Sequence, residues 1–260
     1  MGKLSHVQTF LLDMDGTFYL GSNLIEGSLT FIRALQDQGK DFLFMTNNSS
    51  RNVPYYVEKL HKMGLDVAPE KVLNSTQATA IACLDRFKNK RAFVLGNEYM
   101  ITELRDMGIA IDQNDPDYVI VGYDTTLDYG KMTAVCDFVR AGLPYVASHP
   151  DYNCPTETGF APDIGAIMAF IHASAGRWAD LIVGKPHRGI VDAALRRTGA
   201  KLSELAMVGD RLYTDVATGL DHGMTAILVM SGETTPDMLK ASDIKPDLVY
   251  GRLSDMIGDL

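Results

Sequence analysis

The chain has 260 residues, of which 46% are hydrophobic and 22% are charged. This composition is typical of a globular protein with enough length for one large domain or two modest ones. The formal net charge of -9 argues against a surface for nucleic acid or anionic membrane, so an anionic substrate requires a local cation.

The predicted elements begin with a buried strand that ends in an acidic loop. The residues from Phe10 to Tyr19 read F-L-L-D-M-D-G-T-F-Y. Residues two apart point to the same side of an extended segment, so Asp13 and Asp15 can face one reaction centre. Gly16 lets backbone N–H groups approach an anion, and Thr17 adds a hydroxyl donor. An Asp-rich turn that merely ends a strand would share these features. The remaining motifs must therefore decide whether this loop is a reaction centre.

A βαβ unit and a further helix follow the acidic loop. We expect Ser28 to cap a helix that Gly39 closes, and Asp41–Thr46 to form a second buried strand that runs into N-N-S-S. A strand, a helix and a strand give a parallel pair. The apolar spacing within Val53–Leu60 predicts the next helix, and a short strand is expected around Val72.

The alternation of strands and helices restarts at about Ala82 with its own turns. The predicted strands of this middle region are Arg91–Leu95, Tyr118–Val121 and Pro144–Ala147, and its predicted helices are Met100–Met107, Met132–Gly142 and Ile164–Ala175. Nothing between Ala82 and Trp178 repeats the acidic loop. We therefore interpret this region as an inserted domain.

Buried strands resume after the insert. The last third is predicted to contain the strands Leu181–Val183, Leu205–Val208, Ala226–Met230 and Leu248–Tyr250, with a helical stripe from Ile190 to Leu195. The predicted fold is α/β, with a Rossmann-like, doubly wound parallel-sheet core made by residues 1–81 and 180–260 and an inserted α/β domain at residues 82–179. Ligands of such sheets bind at the carboxyl ends of the strands.

Membrane insertion and disulfide bonding are not expected. No apolar run approaches the ~20 residues of a membrane-spanning helix, and the N-terminus lacks the charged and apolar regions of a signal peptide. We therefore expect a cytoplasmic protein. Cys83, Cys136 and Cys154 are scattered and odd in number, which favours reduced thiols. No Cys or His spacing indicates zinc.

Four polar clusters come just after predicted strands. They are Asp13 with Asp15, Thr46 with Asn47, Lys185 in G-K-P, and Asp210 with Asp215 in G-D-R-L-Y-T-D. Each cluster alone is weak evidence for a functional site, because a polar residue after a strand is common. Together they supply a nucleophile, a hydroxyl donor, a fixed cation and a second acidic pair, which phosphoryl transfer to a carboxylate requires.

These clusters resemble the four motifs of the haloacid dehalogenase-like (HAD) superfamily. D-M-D-G-T, T-N-N, G-K-P and G-D-R-L-Y-T-D match those motifs in order across essentially the whole chain. An insert between the second and third motifs is similar to that of subfamily IIA, the NagD-like and p-nitrophenyl phosphatase-like branch. S-H-P-D-Y-N-C-P-T and G-F-A-P-D-I-G-A resemble the cap domain of that branch. The resemblance implies a Mg2+-dependent phosphatase that hydrolyses small phosphomonoesters through an aspartyl-phosphate.

The resemblance also implies a role for each matched residue. Asp13 would be the nucleophile, Asp15 the general acid and base, and Lys185 the cation that offsets negative charge. Thr46 and the backbone N–H of Asn47 would hold the phosphoryl oxygens. The implied Mg2+ ligands are Asp13, the backbone carbonyl of Asp15, Asp210, and Asp215 through a bound water, although Asp215 could instead orient Lys185 or complement a helix dipole.

The insert offers further candidates for substrate contact. Asp151 and Asn153 lie in an expected loop and would contact the leaving group, with Asp124 a weaker candidate. A metal site built on the cluster of His149, Asp151, Asn153 and Cys154 is disfavoured, because no further ligand has suitable spacing.

Three alternative functions are weighed: the residues disfavour a dehalogenase and a non-catalytic binder and leave a phosphomutase open. A dehalogenase needs neither the acid at Asp15 nor the metal. A phosphomutase or phosphotransferase would use the same intermediate, and a non-catalytic phospho-ligand-binding protein would have no use for the acid and base. The expected partner is a small-molecule phosphomonoester, without nucleic acid or membrane, and a homodimer is possible.

Overall fold

The structure is a computed structural model that describes residues 2–156 and 158–260. Its strands are β1 (Thr9–Leu12), β2 (Tyr19–Leu20), β3 (Asn23–Leu24), β4 (Asp41–Thr46), β5 (Val72–Asn74), β6 (Arg91–Leu95), β7 (Ala110–Ile111), β8 (Tyr118–Val121), β9 (Tyr145–Ala147), β10 (Asn153–Thr156), β11 (Gly159–Pro162), β12 (Leu181–Ile182), β13 (Leu205–Gly209), β14 (Thr225–Val229) and β15 (Leu248–Tyr250). Its α-helices are α1 (Ser28–Asp37), α2 (Val53–Lys62), α3 (Ser75–Arg86), α4 (Glu98–Asp106), α5 (Tyr129–Arg140), α6 (Ile164–Ala175), α7 (Arg188–Thr198), α8 (Ala217–His222) and α9 (Pro236–Ala241). A π-helical turn spans Leu212–Val216, and 3-10 turns span Pro69–Lys71, Leu202–Glu204 and Leu253–Asp259.

The chain forms two compact units, each with its own large sheet. The first unit comprises Met1–Thr46, Tyr56–Leu73 and Ala194–Leu260, and the second comprises Asn47–Tyr55 and Asn74–Ala193. The sequence-based bounds 1–81, 82–179 and 180–260 group several segments differently, since α3 lies in the second unit. As folding domains, those bounds stay a prediction.

The first unit is built on a six-stranded sheet with the order β15-β14-β13-β1-β4-β5. Strand β1 is parallel to both of its neighbours, and Leu12 pairs with Val208 of β13 and with Phe44 of β4. All four residues of β1 are buried, as expected of a central parallel strand covered on both faces. The residues that follow β1, β4 and β13 therefore emerge at the same edge of this sheet.

The second unit contains a five-stranded sheet with the order β12-β9-β8-β6-β7. Its pairs are parallel, and helices α5 and α6 contribute Val135, Val139, Ile164 and Ile171 to the apolar cluster beside it. The α/β class and the parallel sheets predicted from the sequence are thus confirmed.

The position of strand β12 differs from the sequence-based prediction. We expected Leu181–Val183 to belong to the core sheet, but Leu181 pairs with Val146 and Ile182 with Ala147, which places β12 at the edge of the second sheet. A two-residue apolar strand carries no periodicity, so its pairing depends on tertiary contacts that the local sequence does not encode.

Two smaller predictions also differ from the structure. Gly27, not Ser28, is the N-cap of α1, and the Ser28 hydroxyl donates to the Phe18 carbonyl at 2.8 Å. Asn153 does not lie in a loop, because it begins the antiparallel hairpin β10–β11.

In residues 2–156 and 158–260, no helix combines the length and the apolar character needed to cross a bilayer.

Candidate active site

Three buried carboxylates come together in the first unit. Asp13 follows β1 and Asp210 follows β13, so the parallel pairing of these strands makes them neighbours, while Asp215 comes from the π-helical turn. One carboxylate oxygen of each lies within 4.8 Å of the others. Three anions held this closely away from bulk water repel one another, and a bound cation would offset that repulsion.

Glycines make room for these carboxylates. A Cβ on Gly209 would lie 2.2 Å from Cγ of Asp215, and a Cβ on Gly16 would lie 2.4 Å from Oδ2 of Asp210. Gly16 also has φ of +85°, a left-handed conformation that favours glycine. The cradle and its hard oxygen donors fit a cation such as Mg2+, because Mg2+ prefers carboxylate ligands.

Hydrogen bonds orient two of the three carboxylates. Oδ2 of Asp210 accepts from the backbone N–H of Glu233 at 2.6 Å, and its Oδ1 accepts from the Thr17 hydroxyl at 3.4 Å. Oδ2 of Asp215 accepts from the backbone N–H of Arg211 at 3.1 Å. Asp215 is therefore part of the acidic cluster and not merely an exposed charge near a helix end.

Arg211, which was not among the site residues predicted from the sequence, brings a cation to this cluster. Its Nε lies 2.9 Å from Oε2 of Glu233. Burial by itself lowers the pKa of the Arg211 guanidinium, but the charges of Asp13 and Glu233 outweigh it and raise the pKa above its ordinary value. The signal that could have found Arg211 is its place inside the G-D-R-L-Y-T-D motif, directly after Asp210.

Asp15 is exposed, in contrast to the three buried carboxylates of Asp13, Asp210 and Asp215. Its Oδ1 accepts from the backbone N–H of Gly21 at 3.4 Å, and its backbone forms a bridge with Tyr19. Its side chain is not part of the three-carboxylate group. An exposed carboxylate two residues after Asp13 can meet a substrate directly, as a general acid must.

Thr46 is the last residue of β4, the strand parallel to β1 in the same sheet. Since Phe44 pairs with Leu12, the backbone of Thr46 emerges at the same edge as Asp13. Thr46 is 9% exposed, so its surroundings are largely dry.

Asn47 and Lys185 lie together in the second unit. Oδ1 of Asn47 accepts from the backbone N–H of Lys185 at 2.7 Å, and its Nδ2 donates to the Lys185 carbonyl at 3.0 Å. Nδ2 also lies 3.1 Å from Oδ2 of Asp151. The Asn47 side chain thus fixes the backbone of the buried Lys185. This arrangement was not predicted, because we had considered only the backbone N–H of Asn47.

Gly184 permits that close approach. A Cβ there would lie 2.7 Å from Oδ1 of Asn47 and 2.7 Å from the Ser148 carbonyl oxygen. The Gly184 backbone N–H also donates to the Ser148 carbonyl at 2.8 Å. The glycine of G-K-P is therefore required by packing.

Around Asp151, the buried His149 lies between two acids. Its Nδ1 is 3.6 Å from Oδ2 of Asp151, and its Nε2 is 3.5 Å from Oδ1 of Asp163. In the described ranges 2–156 and 158–260, the acidic triad of the first unit is the one group of three potential metal ligands, and His149 is not in it. The contacts favour a role in holding Asp151.

The other candidates of the second unit have different surroundings. Asn153 is exposed at the start of β10 and pairs with Pro162 across the hairpin. Asp124 is buried, with Oδ2 at 2.7 Å from Nζ of Lys131 and Oδ1 accepting from the Thr126 hydroxyl at 2.7 Å. Asp124 therefore stabilises its own loop.

The chain is similar to known proteins over nearly its full length. Residues 10–110 match the family model described as haloacid dehalogenase-like hydrolase, and residues 182–256 match a related HAD-hydrolase-like model. An acid sugar phosphatase from Staphylococcus haemolyticus is 34% identical over 258 residues, which is 99% of this chain and 98% of that protein.

Solved structures are similar as well. The 4-nitrophenylphosphatase from Thermotoga maritima has 44% sequence identity and a TM-score of 0.97, with 99% of each chain covered. NagD from E. coli K-12 has 30% identity and a TM-score of 0.88, with 96% of this chain and 98% of that chain covered.

Proposed function

Since the chain belongs to the haloacid dehalogenase-like hydrolases, subfamily IIA, and is a phosphoric monoester hydrolase, we propose that it uses Mg2+ to hydrolyse small phosphomonoesters through an aspartyl-phosphate on Asp13. The buried cluster of Asp13, Asp210 and Asp215 is the observation that carries this proposal. A phosphatase must bring a dianionic phosphoryl group to an anionic nucleophile, and such repulsion has to be offset.

The acidic cluster is suited to holding Mg2+. Asp13, Asp210 and Asp215 would bind it, together with the backbone carbonyl of Asp15. Mg2+ bound there would offset the negative charge of the phosphoryl group. The glycine cradle and the hydrogen bonds to Asp210 keep the ligand oxygens in place without it.

Asp13 and Asp15 would divide the chemistry between them. A carboxylate oxygen of Asp13 attacks phosphorus, and the bond from phosphorus to the leaving oxygen breaks as Asp15 gives that oxygen a proton. Asp15 then takes a proton from the water that attacks the aspartyl-phosphate, which releases inorganic phosphate and restores Asp13. This division requires one carboxylate that is shielded from water and one that is accessible. Asp13 is buried and Asp15 is exposed, as the division requires.

The remaining residues would bind the phosphate and the leaving group. We assign the phosphoryl oxygens to the Thr46 hydroxyl and the Asn47 backbone N–H, and the offsetting positive charge to Lys185. Asn47 supports this last role, because its side chain fixes the Lys185 backbone. Asp151 and Asn153 would contact the leaving group.

The relatives support the proposed substrate class. Acid sugar phosphatases and p-nitrophenyl phosphatases act on small phosphomonoesters, so we propose sugar phosphates, nucleoside monophosphates and aryl phosphates as the substrates to try first. The cytoplasmic location and the homodimer stay predictions.

The proposal is tested by measuring phosphate release from a panel of phosphomonoesters at neutral pH. The panel includes p-nitrophenyl phosphate, and each reaction is run with Mg2+, with EDTA, and with Asp13→Asn in place of the wild type. We expect activity that EDTA abolishes and that Asp13→Asn lowers by at least about 10³-fold, since it removes the nucleophile.

Other outcomes would contradict parts of this proposal. Turnover that EDTA leaves unchanged would exclude the metal. Phosphate release by Asp13→Asn at the wild-type rate would exclude the aspartyl-phosphate. Phosphoryl transfer to a second substrate, without release of phosphate, would indicate a mutase or phosphotransferase.

A further inference from the structure

A lysine on helix α2 lies against the aromatic ring that follows the acidic loop. The Nζ atom of Lys59 is 3.7 Å from the centre of the Tyr19 ring, and both residues belong to the first unit. Tyr19 is buried at 2% exposure. An ammonium this close to the face of a largely dry ring is a favourable cation–π contact.

Tyr19 is in turn tied to Asp15 through the backbone. The two residues form a β-bridge, and the Tyr19 carbonyl accepts from the Gly16 N–H at 2.7 Å. Gly21 lies in the turn of the hairpin β2–β3, which begins at Tyr19. Its N–H donates to Oδ1 of Asp15 at 3.4 Å. The hairpin that holds the Asp15 carboxylate is therefore anchored by Tyr19.

Lys59 and Asp15 also interact through their charges. Burial lowers the pKa of the Lys59 ammonium, and the negative charge of Asp15 opposes that shift. A half-buried cation near an exposed carboxylate attracts it and limits the orientations it visits.

We propose that Lys59 is a positioning residue for Asp15: through the Tyr19 ring and its own charge, it holds the carboxylate where that carboxylate can protonate the leaving oxygen. The inference rests on the proposed function, in which Asp15 is the general acid. Lys59 itself need not touch the substrate.

This role has a chemical signature. Alkoxide leaving groups are strongly basic and require a proton as the ester bond breaks, whereas p-nitrophenolate leaves readily without one. A misplaced general acid therefore slows formation of the aspartyl-phosphate from alkyl phosphates far more than from p-nitrophenyl phosphate. A general loss of structure would slow both substrates alike.

The experiment compares Lys59→Met, which removes the charge, with Lys59→Arg, which keeps a cation that can stack on Tyr19. Lys62→Met is the matched control, because Lys62 is exposed on the same helix and pairs with Glu58. For each variant, kcat and KM are measured with glycerol phosphate and with p-nitrophenyl phosphate, and circular dichroism checks the fold. Lys59→Gln, a less apolar change, replaces Lys59→Met if that variant does not fold.

We expect Lys59→Met to lower kcat/KM for glycerol phosphate by about 10- to 100-fold, within the contribution of a positioned acid, and to leave kcat/KM for p-nitrophenyl phosphate within about 3-fold. The ratio kcat/KM reports the steps up to formation of the aspartyl-phosphate, whereas kcat also includes its hydrolysis, in which Asp15 acts as the base for both substrates. Lys59→Arg should restore most of the activity, and Lys62→Met should behave as the wild type. In the Asp15→Asn background, Lys59→Met should cause no further loss, because the group that it positions is gone.

Equal losses of kcat/KM for the two substrates, or full additivity with Asp15→Asn, would overturn the inference while leaving the proposed function intact. Absence of any turnover by the Mg2+-loaded wild type would overturn the proposed function, and this inference with it.

Discussion

The side chain of Asn47 exchanges two hydrogen bonds with the backbone of Lys185, which is 138 residues away along the chain. It accepts from the Lys185 N–H and donates to the Lys185 carbonyl, as a paired β-strand would. The second and third of the four motifs are thus joined directly in the second unit, and the backbone of the buried lysine has little freedom.

Replacing Asn47 by alanine should destabilise the protein. Asn47→Ala removes both bonds and the contact between Nδ2 and Asp151, and it takes away the side-chain acceptor of the Lys185 N–H, which should cost about 2–4 kcal/mol in the free energy of unfolding. Urea denaturation measures that cost. Asn52→Ala is the matched control, because it removes one helix-capping bond, from the Tyr55 N–H, and should cost about 1 kcal/mol. Equal costs for the two variants would show that the Asn47–Lys185 bonds add nothing.

Adding a methyl group at Gly209 should displace Asp215 from the acidic cluster. The new Cβ would lie 2.2 Å from Cγ of Asp215, so the carboxylate must move. A shift of about 1 Å in a reacting group costs on the order of 10²-fold in rate, and we expect kcat of Gly209→Ala to fall by about that factor. Gly258→Ala is the control, since a Cβ there meets nothing within 4 Å. Normal activity of Gly209→Ala would mean that Asp215 has no part in turnover.

Mg2+ should raise the thermal stability of the wild-type protein. Metal at 100 times its dissociation constant adds about 2.7 kcal/mol, which corresponds to an increase of roughly 5–10 °C in Tm for a chain of this size. Differential scanning fluorimetry with and without EDTA measures this shift.

The variant Asp210→Asn tests whether the acidic cluster holds the metal. Without metal, Tm of the variant should stay close to that of the wild type. One of three mutually repelling carboxylates has become neutral, but the amide keeps a single oxygen and so loses one of the two hydrogen bonds that Asp210 accepts. With Mg2+ the variant should show no increase in Tm. A full increase in Asp210→Asn would place the metal elsewhere.

The buried thiol of Cys83 should resist alkylation. Burial raises its pKa to about 12, although the charge of Arg86 and a hydrogen bond with Tyr118 lower it in part. A raised pKa keeps the group in its unreactive thiol form at pH 8. Iodoacetamide labelling followed by mass spectrometry should modify Cys154, which is partly exposed, well before Cys83 or Cys136. Rapid labelling of Cys83 in the native protein would contradict its assigned environment.

The main strands could be predicted because their apolar residues are contiguous. Phe10–Leu12, Phe42–Met45 and Leu205–Val208 are fully buried in a parallel sheet, and a strand covered on both faces needs an uninterrupted apolar run. The hairpins β2–β3 and β10–β11 were missed, because strands of two to four residues with mixed polarity carry no periodic signal.

The sequence by itself determined the α/β class and placed Asp13 and Asp210 directly after strands. The family resemblance further implied that Asp13, Asp210 and Asp215 share a metal site. Only the tertiary structure decided that the Asn47 side chain fixes the Lys185 backbone and that Lys59 lies on the Tyr19 ring. The physical reason is the range of the interactions. Hydrophobic periodicity records whether a residue faces the interior of its own element, whereas the identity of a distant partner depends on how the elements pack.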